Sequence, residues 1–229
     1  MTHAEQVLTT TIQALRRLRA EQTMPLHAIV WGKWGTGKTV SAQRIAKKEH
    51  DVFYIKTPSG EITRGRLYRL IGLSLGCGAR NTYESTLDLI KHHLLYYNLR
   101  PILIFDEAQR LLGKTHILNE LKDLSEDEEL SFSYLFLGDQ TTPKLLASHD
   151  HSLFKRFAIR KELQPINEET ISHLIKEYKI QVDPTLIFHF AKERGWTTLD
   201  VAICLQAMKN QKVEPTVEVL DKVAKALGR

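Results

Sequence analysis

A glycine-rich segment with a lysine and a threonine at fixed positions carries the clearest chemistry in the sequence. The pattern G-x-x-x-x-G-K-[ST] is matched by Gly32, Lys33, Trp34, Gly35, Thr36, Gly37, Lys38 and Thr39. Glycines at this spacing let the backbone wrap closely with its N–H groups pointing inward, and the dipole of a following helix favours a bound anion. Lys38 would contact the β- and γ-phosphates of a nucleotide, and the Thr39 hydroxyl would bind Mg²⁺. The segment therefore predicts a site for ATP and Mg²⁺.

An acidic pair follows an apolar run later in the chain. Residues 101–105 read as a buried strand, and Asp106 and Glu107 come directly after it, 68 residues (106 − 38) beyond Lys38. A carboxylate at a strand end can reach the shell of Mg²⁺, so Asp106 is predicted to be a metal ligand. Glu107 can accept a proton from the water that attacks the γ-phosphate, so it is the predicted general base. A helicase also fits Asp-Glu-Ala-Gln, but it needs a second motor domain, for which 229 residues leave no room.

Short apolar runs alternate with amphipathic stretches over most of the chain. A strand is expected at 26–31, before the glycine-rich segment, and a helix at 39–48 after it, which is the context that a phosphate-binding loop requires. Further strands are expected at 52–55, 101–105, 131–137 and 157–163, and further helices at 3–20, 63–75, 84–97 and 114–124. This alternation predicts an α/β fold, with a parallel sheet flanked by helices and ligands at the carboxyl ends of its strands.

Beyond Gln164 the pattern changes to helices alone. They are expected to begin at Asn167 and Asp183, and to cover 199–208 and 215–227. We therefore expect a nucleotide-binding core with an N-terminal helix at 1–164 and a small C-terminal helical lid at 165–229.

Composition narrows the classes of protein that fit the chain. With 42% hydrophobic and 26% charged residues, it resembles an ordinary globular domain. No apolar stretch is as long as a membrane span, and the N-terminus lacks the layout of a signal peptide. Cys77 and Cys204 form no metal-type spacing, so reduced thiols in a cytoplasmic protein without a membrane partner are expected. The net charge of +5 is compatible with a polyanionic partner but does not require one.

Five stretches occur together in an order that is typical of one family. They are Gly32–Thr39, Lys56–Ser59, Ile102–Gln109, Tyr134–Asp139 and Leu153–Phe157. The chain resembles an AAA+ ATPase, and more narrowly it is similar to the transposition regulators MuB, TnsC and TniB, with ExeA-type ATPases as close relatives. The first and third stretches are typical of phosphate-loop ATPases generally, whereas the spacing of the last two favours the transposition branch.

The resemblance implies roles that spacing alone does not assign. Asp139 or Gln140 lies where the family has the polar sensor 1 residue, which orients the attacking water. Arg156 lies where the family keeps an arginine finger, which enters the site of a neighbouring subunit and offsets transition-state charge, with Arg160 as the alternative. A finger that acts in trans implies a homo-oligomer.

The resemblance also implies a partner. The family forms ATP-controlled rings or helical filaments on duplex DNA, selects target sites and recruits a transposase or another recombination protein. Contacts to DNA phosphates, without sequence preference, would come from Thr57, Thr63, Arg64 and Arg66. An ordinary basic helix terminus is the alternative for these residues. No interleaving of aromatic and basic residues indicates single-strand binding, and both Trp34 and Trp196 are expected to be packing residues.

The sequence departs from the family in two places. The Gly-x-x-Arg pattern of the lid is replaced by Gly195–Thr198, so lid closure or hydrolysis is expected to be weak. The chain has no length for the N-terminal DNA-binding appendage of MuB, which leaves DNA contact to the ATPase core. Two alternatives stay open: a helicase-loader or initiator ATPase, and an ExeA-like assembly ATPase that does not bind nucleic acid. A small-molecule phosphotransferase is disfavoured, because nothing resembles a substrate lid.

Overall fold

Residues 1–21, 26–148, 152–211 and 216–226 are described by the computed structural model. Residues 22–25, which the sequence suggests as a connector into the first strand, lie outside this described part, as do residues 215 and 227 at the two ends of the last expected helix.

A five-stranded sheet forms the centre of the fold. Its strands are β1 His27–Gly32, β2 Val52–Lys56, β3 Ile102–Asp106, β4 Ser133–Gly138 and β5 Phe157–Leu163, in the order β2-β3-β4-β1-β5. The pairs β1–β4, β2–β3 and β3–β4 are parallel. The predicted α/β fold with a parallel sheet is therefore confirmed.

One helix precedes the first strand, and the others connect the strands or follow the last of them. They are α1 His3–Glu21, α2 Lys38–Lys48, α3 Arg64–Ser74, α4 Tyr83–Tyr97, α5 Gln109–Leu112, α6 Thr115–Glu126, α7 Thr142–Ser148, α8 Glu168–Tyr178, α9 Pro184–Glu193, α10 Thr198–Gln211 and α11 Val217–Ala226. A 3₁₀ helix, Ser152–Arg156, precedes β5. The sequence pattern did not predict α5, α7 or the 3₁₀ helix, because segments this short carry little helical periodicity. None of the described helices is long and apolar enough to cross a membrane.

The central strands are buried, and their register aligns the ends of neighbouring strands. Every residue of β3 and β4 is buried, as expected for parallel strands that are covered on both faces. The register pairs Lys56 with Asp106 and Trp31 with Gly138. The carboxyl ends of neighbouring strands are thus aligned at one edge of the sheet.

The chain divides into two compact units. One comprises residues 1–7, 32–41 and 163–229, and the other comprises residues 8–31 and 42–162. The glycine-rich loop belongs to the first unit, where the N–H of Leu199 donates a hydrogen bond to the Gly35 carbonyl and the N–H of His3 donates one to the Thr170 hydroxyl. The simpler division into 1–164 and 165–229 stays a prediction.

In the C-terminal part of the first unit, side chains cap the starts of two helices. The Asn167 side chain accepts a hydrogen bond from the N–H of Thr170 at the start of α8, and Asp183 caps α9, whose first residue is Pro184. Both arrangements are common N-terminal helix signals. The helices enclose an apolar cluster that includes the buried Trp196, so the packing role predicted for this tryptophan is confirmed.

Candidate nucleotide site

The glycine-rich loop joins β1 to α2 with the backbone shape that its sequence predicts. Gly35 and Gly37 have φ angles of +82° and +86°, in a region that disfavours every residue with a side chain. Lys38 is the first residue of α2. The loop therefore ends at a helix N-terminus, where N–H groups and the helix dipole favour an anion.

The Lys38 ammonium lies within the curve of this loop. It donates hydrogen bonds to the carbonyl oxygens of Gly32 at 2.7 Å and Lys33 at 2.9 Å, and to the Thr36 hydroxyl at 3.2 Å. The positive charge and the glycine backbone together fit a nucleotide phosphate, which is the ligand that the sequence predicts.

The start of α10 packs against the same loop. Besides the bond from Leu199 to Gly35, the Thr197 hydroxyl occupies the space that a Cβ atom at position 35 would need. The N–H and hydroxyl of Thr197 both donate to the buried Asp200 carboxylate, at 2.8 and 2.9 Å. In place of the absent lid arginine, α10 therefore contacts the loop through its main chain and a short side chain.

Trp34 does not have the packing role that was predicted for it. Its side chain lies in the glycine-rich loop and is 72% exposed. The predicted packing role was therefore wrong, and Trp34 instead exposes a large apolar side chain on the phosphate loop.

In the second unit, Asp106 ends β3 with an ordered, buried carboxylate. One oxygen accepts a hydrogen bond from the Tyr54 hydroxyl at 2.8 Å, and the other accepts one from the N–H of Glu107 at 3.0 Å. Burial and the bond to Asp106 raise the pKa of Tyr54. Tyr54 therefore stays protonated and donates at neutral pH, which fixes the orientation of Asp106.

Glu107 adopts a left-handed backbone conformation, with φ of +58°. Its carboxylate accepts a hydrogen bond from Gln109 Nε2 at 2.8 Å and pairs with Arg110 at 3.4 Å. Strained non-glycine residues of this kind cluster at functional sites and cost about 1–3 kcal/mol. The surrounding contacts thus hold a carboxylate at the strand end where the sequence predicts a general base.

Arg110 connects this carboxylate to the segment after β2. Its guanidinium also donates to the Thr57 carbonyl at 2.8 Å, while the N–H of Thr57 donates to the Asp106 carbonyl at 3.1 Å. Sequence reasoning missed Tyr54, Gln109 and Arg110. Gln109 and Arg110 lie two and three residues after Glu107 and could have been considered, whereas the contact of Tyr54 depends on strand pairing.

The two candidates for sensor 1 lie after β4. The Asp139 carboxylate accepts hydrogen bonds from the N–H and the hydroxyl of Thr141, at 2.8 and 2.5 Å, and one from the Thr142 hydroxyl at 3.5 Å. Asp139 therefore caps the start of α7. Gln140 is exposed, and its side chain has the greater freedom to orient a water molecule.

Both candidate finger arginines contact their own chain. The Arg156 side chain is 15% exposed, and it pairs with the Glu126 carboxylate and contacts the Ser125 hydroxyl at 3.4 Å. Arg160 donates to the carbonyls of Phe157 and Phe154 at 3.3 and 3.2 Å. A finger role for Arg156 remains a prediction and requires release from Glu126.

The four candidate DNA contacts differ in exposure. Thr63 caps α3 and is exposed, as are Arg64 and Arg66. Arg64 pairs with Glu120, and Arg66 donates to the Glu61 carbonyl at 2.7 Å.

Thr57 differs from the other three candidates. It is only 1% exposed, because it continues β2 into the interior and its N–H bonds to β3. Its side chain cannot reach DNA in this conformation, so the prediction of a direct contact by Thr57 is corrected.

Comparison with known proteins agrees with this fold and this loop, which define a nucleotide-binding α/β domain. The sequence profile of the family described as "AAA domain" matches residues 22–146, more than half of the chain. The chain belongs to the AAA domain family. Its narrower similarity to MuB, TnsC and TniB is not shown by the comparisons. A search of curated proteins finds no match.

Solved structures of AAA+ proteins share the fold at low sequence identity. The Aeropyrum pernix ORC2 protein, in ADPNP–ADP complexes, is 13% identical with a TM-score of 0.69, over 95% of this chain and 66% of that one. The ORC1 protein of the same organism, in complex with DNA, is 15% identical with a TM-score of 0.65, over 99% and 66%. Domain III of the Thermotoga maritima replication initiation protein DnaA is 17% identical with a TM-score of 0.55, over 95% and 91%. The chain thus spans just under two thirds of the two ORC proteins.

Proposed function

We propose that the protein is an ATPase that assembles on duplex DNA under the control of its nucleotide, and that it regulates DNA transposition. The observation that carries the nucleotide part is the phosphate loop, with its two left-handed glycines and the Lys38 ammonium inside the curve. The transposition part is supported by the order and spacing of the sequence stretches Tyr134–Asp139 and Leu153–Phe157.

Each candidate residue has a distinct chemical role in hydrolysis. Lys38 neutralises phosphate charge, and the sequence motifs assign Mg²⁺ to Thr39 and Asp106. When bound, Mg²⁺ would supply further neutralisation of the phosphate oxygens. Glu107 accepts one proton from the attacking water. The oxygen of that water bonds to the γ-phosphorus, and the bond between the γ-phosphorus and the oxygen that leaves with ADP breaks. Gln109 and Arg110 hold the Glu107 carboxylate in position.

DNA binding is assigned to the start of α3. Arg64 and Arg66 are exposed basic residues there, and Thr63 offers an exposed hydroxyl. Phosphate contacts of this kind give affinity that falls steeply with salt. The DNA complex of the ORC1 protein, which shares this fold, is a further reason to expect a nucleic-acid partner.

Assembly would complete the catalytic site. Because Arg156 pairs with Glu126 inside its own chain, action in a neighbouring subunit requires that pair to open. Hydrolysis by an isolated subunit would therefore be slow, and the assembled state would be the active one. The absent lid arginine also favours a slow ATPase.

Electron microscopy of the purified protein with linear duplex DNA tests this proposal. Samples with ATP, ADP or no nucleotide are compared, and Lys38→Ala serves as the nucleotide-binding control. Rings or filaments on DNA only with ATP, and absent with Lys38→Ala, are the expected result. Bare DNA at low salt, with ATP binding intact, would contradict the DNA assignment and favour an ExeA-like assembly ATPase.

A helicase-loader or initiator ATPase is the second candidate. The similarity to ORC and DnaA structures favours it. Recovery of a helicase, rather than a transposase, with ATP-bound filaments would support this candidate over transposition.

A further inference from the structure

A basic pocket lies where β2 and β3 begin, at the opposite end of β3 from Asp106. Its volume is about 350 Å³, and it is lined by Arg16, Arg19, His50, Asp51, Asn98, Leu99 and Arg100. None of these residues is a candidate for nucleotide or duplex-DNA binding. The pocket therefore requires its own explanation.

Only one of the three arginines is neutralised by carboxylates. Arg16 pairs with Asp51 at 2.5 Å and with Glu49 at 2.9 Å. Within the described ranges, no carboxylate pairs with Arg19 or Arg100. The three guanidinium groups of the pocket meet two carboxylates, those of Asp51 and Glu49, which leaves a net charge of +1 (3 − 2).

Arg19 is a partly buried cation beside this pocket. Its terminal nitrogens donate to the carbonyls of Arg100 and Pro101, and its Nε is buried without a partner among the described residues. Burial is the main reason that the pKa of Arg19 is lowered to about 10; the Asp51 carboxylate opposes this shift, and Arg100 and Arg16 make smaller contributions to it. An anion in the pocket would stabilise this cation, and a phosphate group has suitable charge.

The helix that leads into this pocket exposes aromatic side chains. In the last turn of α4, Leu95, Tyr96 and Tyr97 are 81%, 82% and 59% exposed. The two tyrosine rings meet edge to face at 4.9 Å, and His93 lies 4.8 Å from Tyr97. Large exposed apolar groups in one turn are typical of a binding surface.

We infer that the basic pocket, and the exposed Tyr96 and Tyr97 that directly precede its residues 98–100 in the chain, together bind single-stranded nucleic acid. A backbone phosphate lies in the pocket near Arg100, and a base stacks on an exposed tyrosine. Cationic grooves combined with aromatic platforms bind single strands, because unpaired bases leave their faces free to stack. Duplex DNA already stacks its bases internally and cannot use the tyrosines. The sequence-based expectation that no aromatic and basic residues interleave overlooked Tyr96, Tyr97 and Arg100, which lie within five residues of one another.

Fluorescence anisotropy of a labelled single-stranded oligonucleotide, with the full chain and no nucleotide, tests this inference. Tyr96→Ala and Arg100→Ala are each expected to weaken binding by about tenfold. Arg100→Ala should also reduce the slope of log affinity against log salt by about 0.7, the value for one phosphate on a single strand. Tyr96→Phe keeps the ring and should bind like the wild type.

Matched controls are available elsewhere in the chain. Lys222 is an exposed cation and Leu73 an exposed apolar residue, so Lys222→Ala and Leu73→Ala should leave single-strand binding unchanged. Arg66→Ala should weaken only the ATP-dependent duplex binding, which separates failure of this inference from failure of the proposed function.

Two results would overturn the inference. One is single-strand affinity that is unchanged in both Tyr96→Ala and Arg100→Ala. The other is a combination of two observations: duplex DNA competes as well as single-stranded DNA, and the affinity falls in Arg100→Ala but not in Tyr96→Ala. That combination would indicate a contact to the phosphates of duplex DNA. Both substitutions are at exposed positions, and thermal unfolding of each variant checks that it is folded.

Discussion

The main-chain N–H of Leu199 donates a 2.9 Å hydrogen bond to the carbonyl of Gly35, which ties the start of α10 to the phosphate loop. This contact lies close to the stretch where the family resemblance leads one to expect a lid arginine. Among substitutions of Leu199, only proline removes this bond, because it has no main-chain N–H. The shape of the loop and the position of α10 within this unit are therefore linked for any other residue at position 199.

Gly35→Ala should disturb the loop and α10 together. A methyl group there would overlap the Thr197 hydroxyl, and φ of +82° is unfavourable for alanine. The expected loss of stability is about 1–3 kcal/mol, measured by denaturant unfolding, with weaker ATP binding in titration calorimetry. Gly65→Ala is the control, because a Cβ atom there meets nothing within 4 Å. Equal stability of the two variants would contradict this account.

Glu107→Gln should separate binding from hydrolysis. The amide can still accept hydrogen bonds from Gln109 and Arg110, but it cannot take a proton from water. We expect the hydrolysis rate to fall by about 100-fold or more, while ATP affinity changes by less than about twofold. Phosphate release and nucleotide titration measure the two quantities. Glu61→Gln, at an exposed position, is the control for the loss of one negative charge. If Glu107→Gln lost ATP affinity in parallel with its hydrolysis rate, Glu107 would not be a general base.

Mixing two inactive variants tests whether Arg156 acts in a neighbouring subunit. Arg156→Ala keeps its own phosphate loop and Glu107, whereas Glu107→Gln still binds ATP, and therefore assembles, and keeps its arginine. If the finger acts in trans, mixed oligomers contain complete sites, and ATPase activity should recover to about a quarter of the wild-type value or less. A purely structural role, through the pair with Glu126, predicts no recovery. Arg160→Ala in place of Arg156→Ala distinguishes the two candidate fingers.

Acid should destabilise the fold through His27. Burial lowers the pKa of His27 to about 3, and its Nδ1 accepts a hydrogen bond from the N–H of Tyr134 at 3.2 Å. The folded state favours the neutral ring, so this contribution to stability is complete above about pH 6.5 and is lost as the pH falls toward 3. The loss amounts to about 5 kcal/mol at most.

Unfolding free energies measured across this pH range check the prediction. His27→Asn, which keeps an acceptor but does not titrate, should flatten the acid limb of the profile. His92→Asn, at an exposed position, should leave the acid limb unchanged. An unchanged limb in His27→Asn would assign the acid sensitivity to other groups.

Much of the fold could be predicted from the sequence because its signals are local. Continuous apolar runs marked the buried strands, and the glycine spacing marked the loop with φ angles above +80°. The short helices after β3 and β4 were missed, since α5 has only four residues. Trp34 was misjudged because hydrophobicity predicts burial on average, whereas the exposure of one side chain depends on the path of its loop.

Residue identity alone determined the phosphate loop and the acidic pair, because both motifs act through their own backbone and neighbouring side chains. Only the tertiary structure decided which residues support them. Tyr54 meets Asp106 through the pairing of β2 with β3, and Arg156 meets Glu126 across 30 residues (156 − 126). The basic pocket likewise brings together residues 16–19, 50–51 and 98–100. These contacts form because segments that are distant in the sequence pack together, and no local sequence pattern encodes that packing.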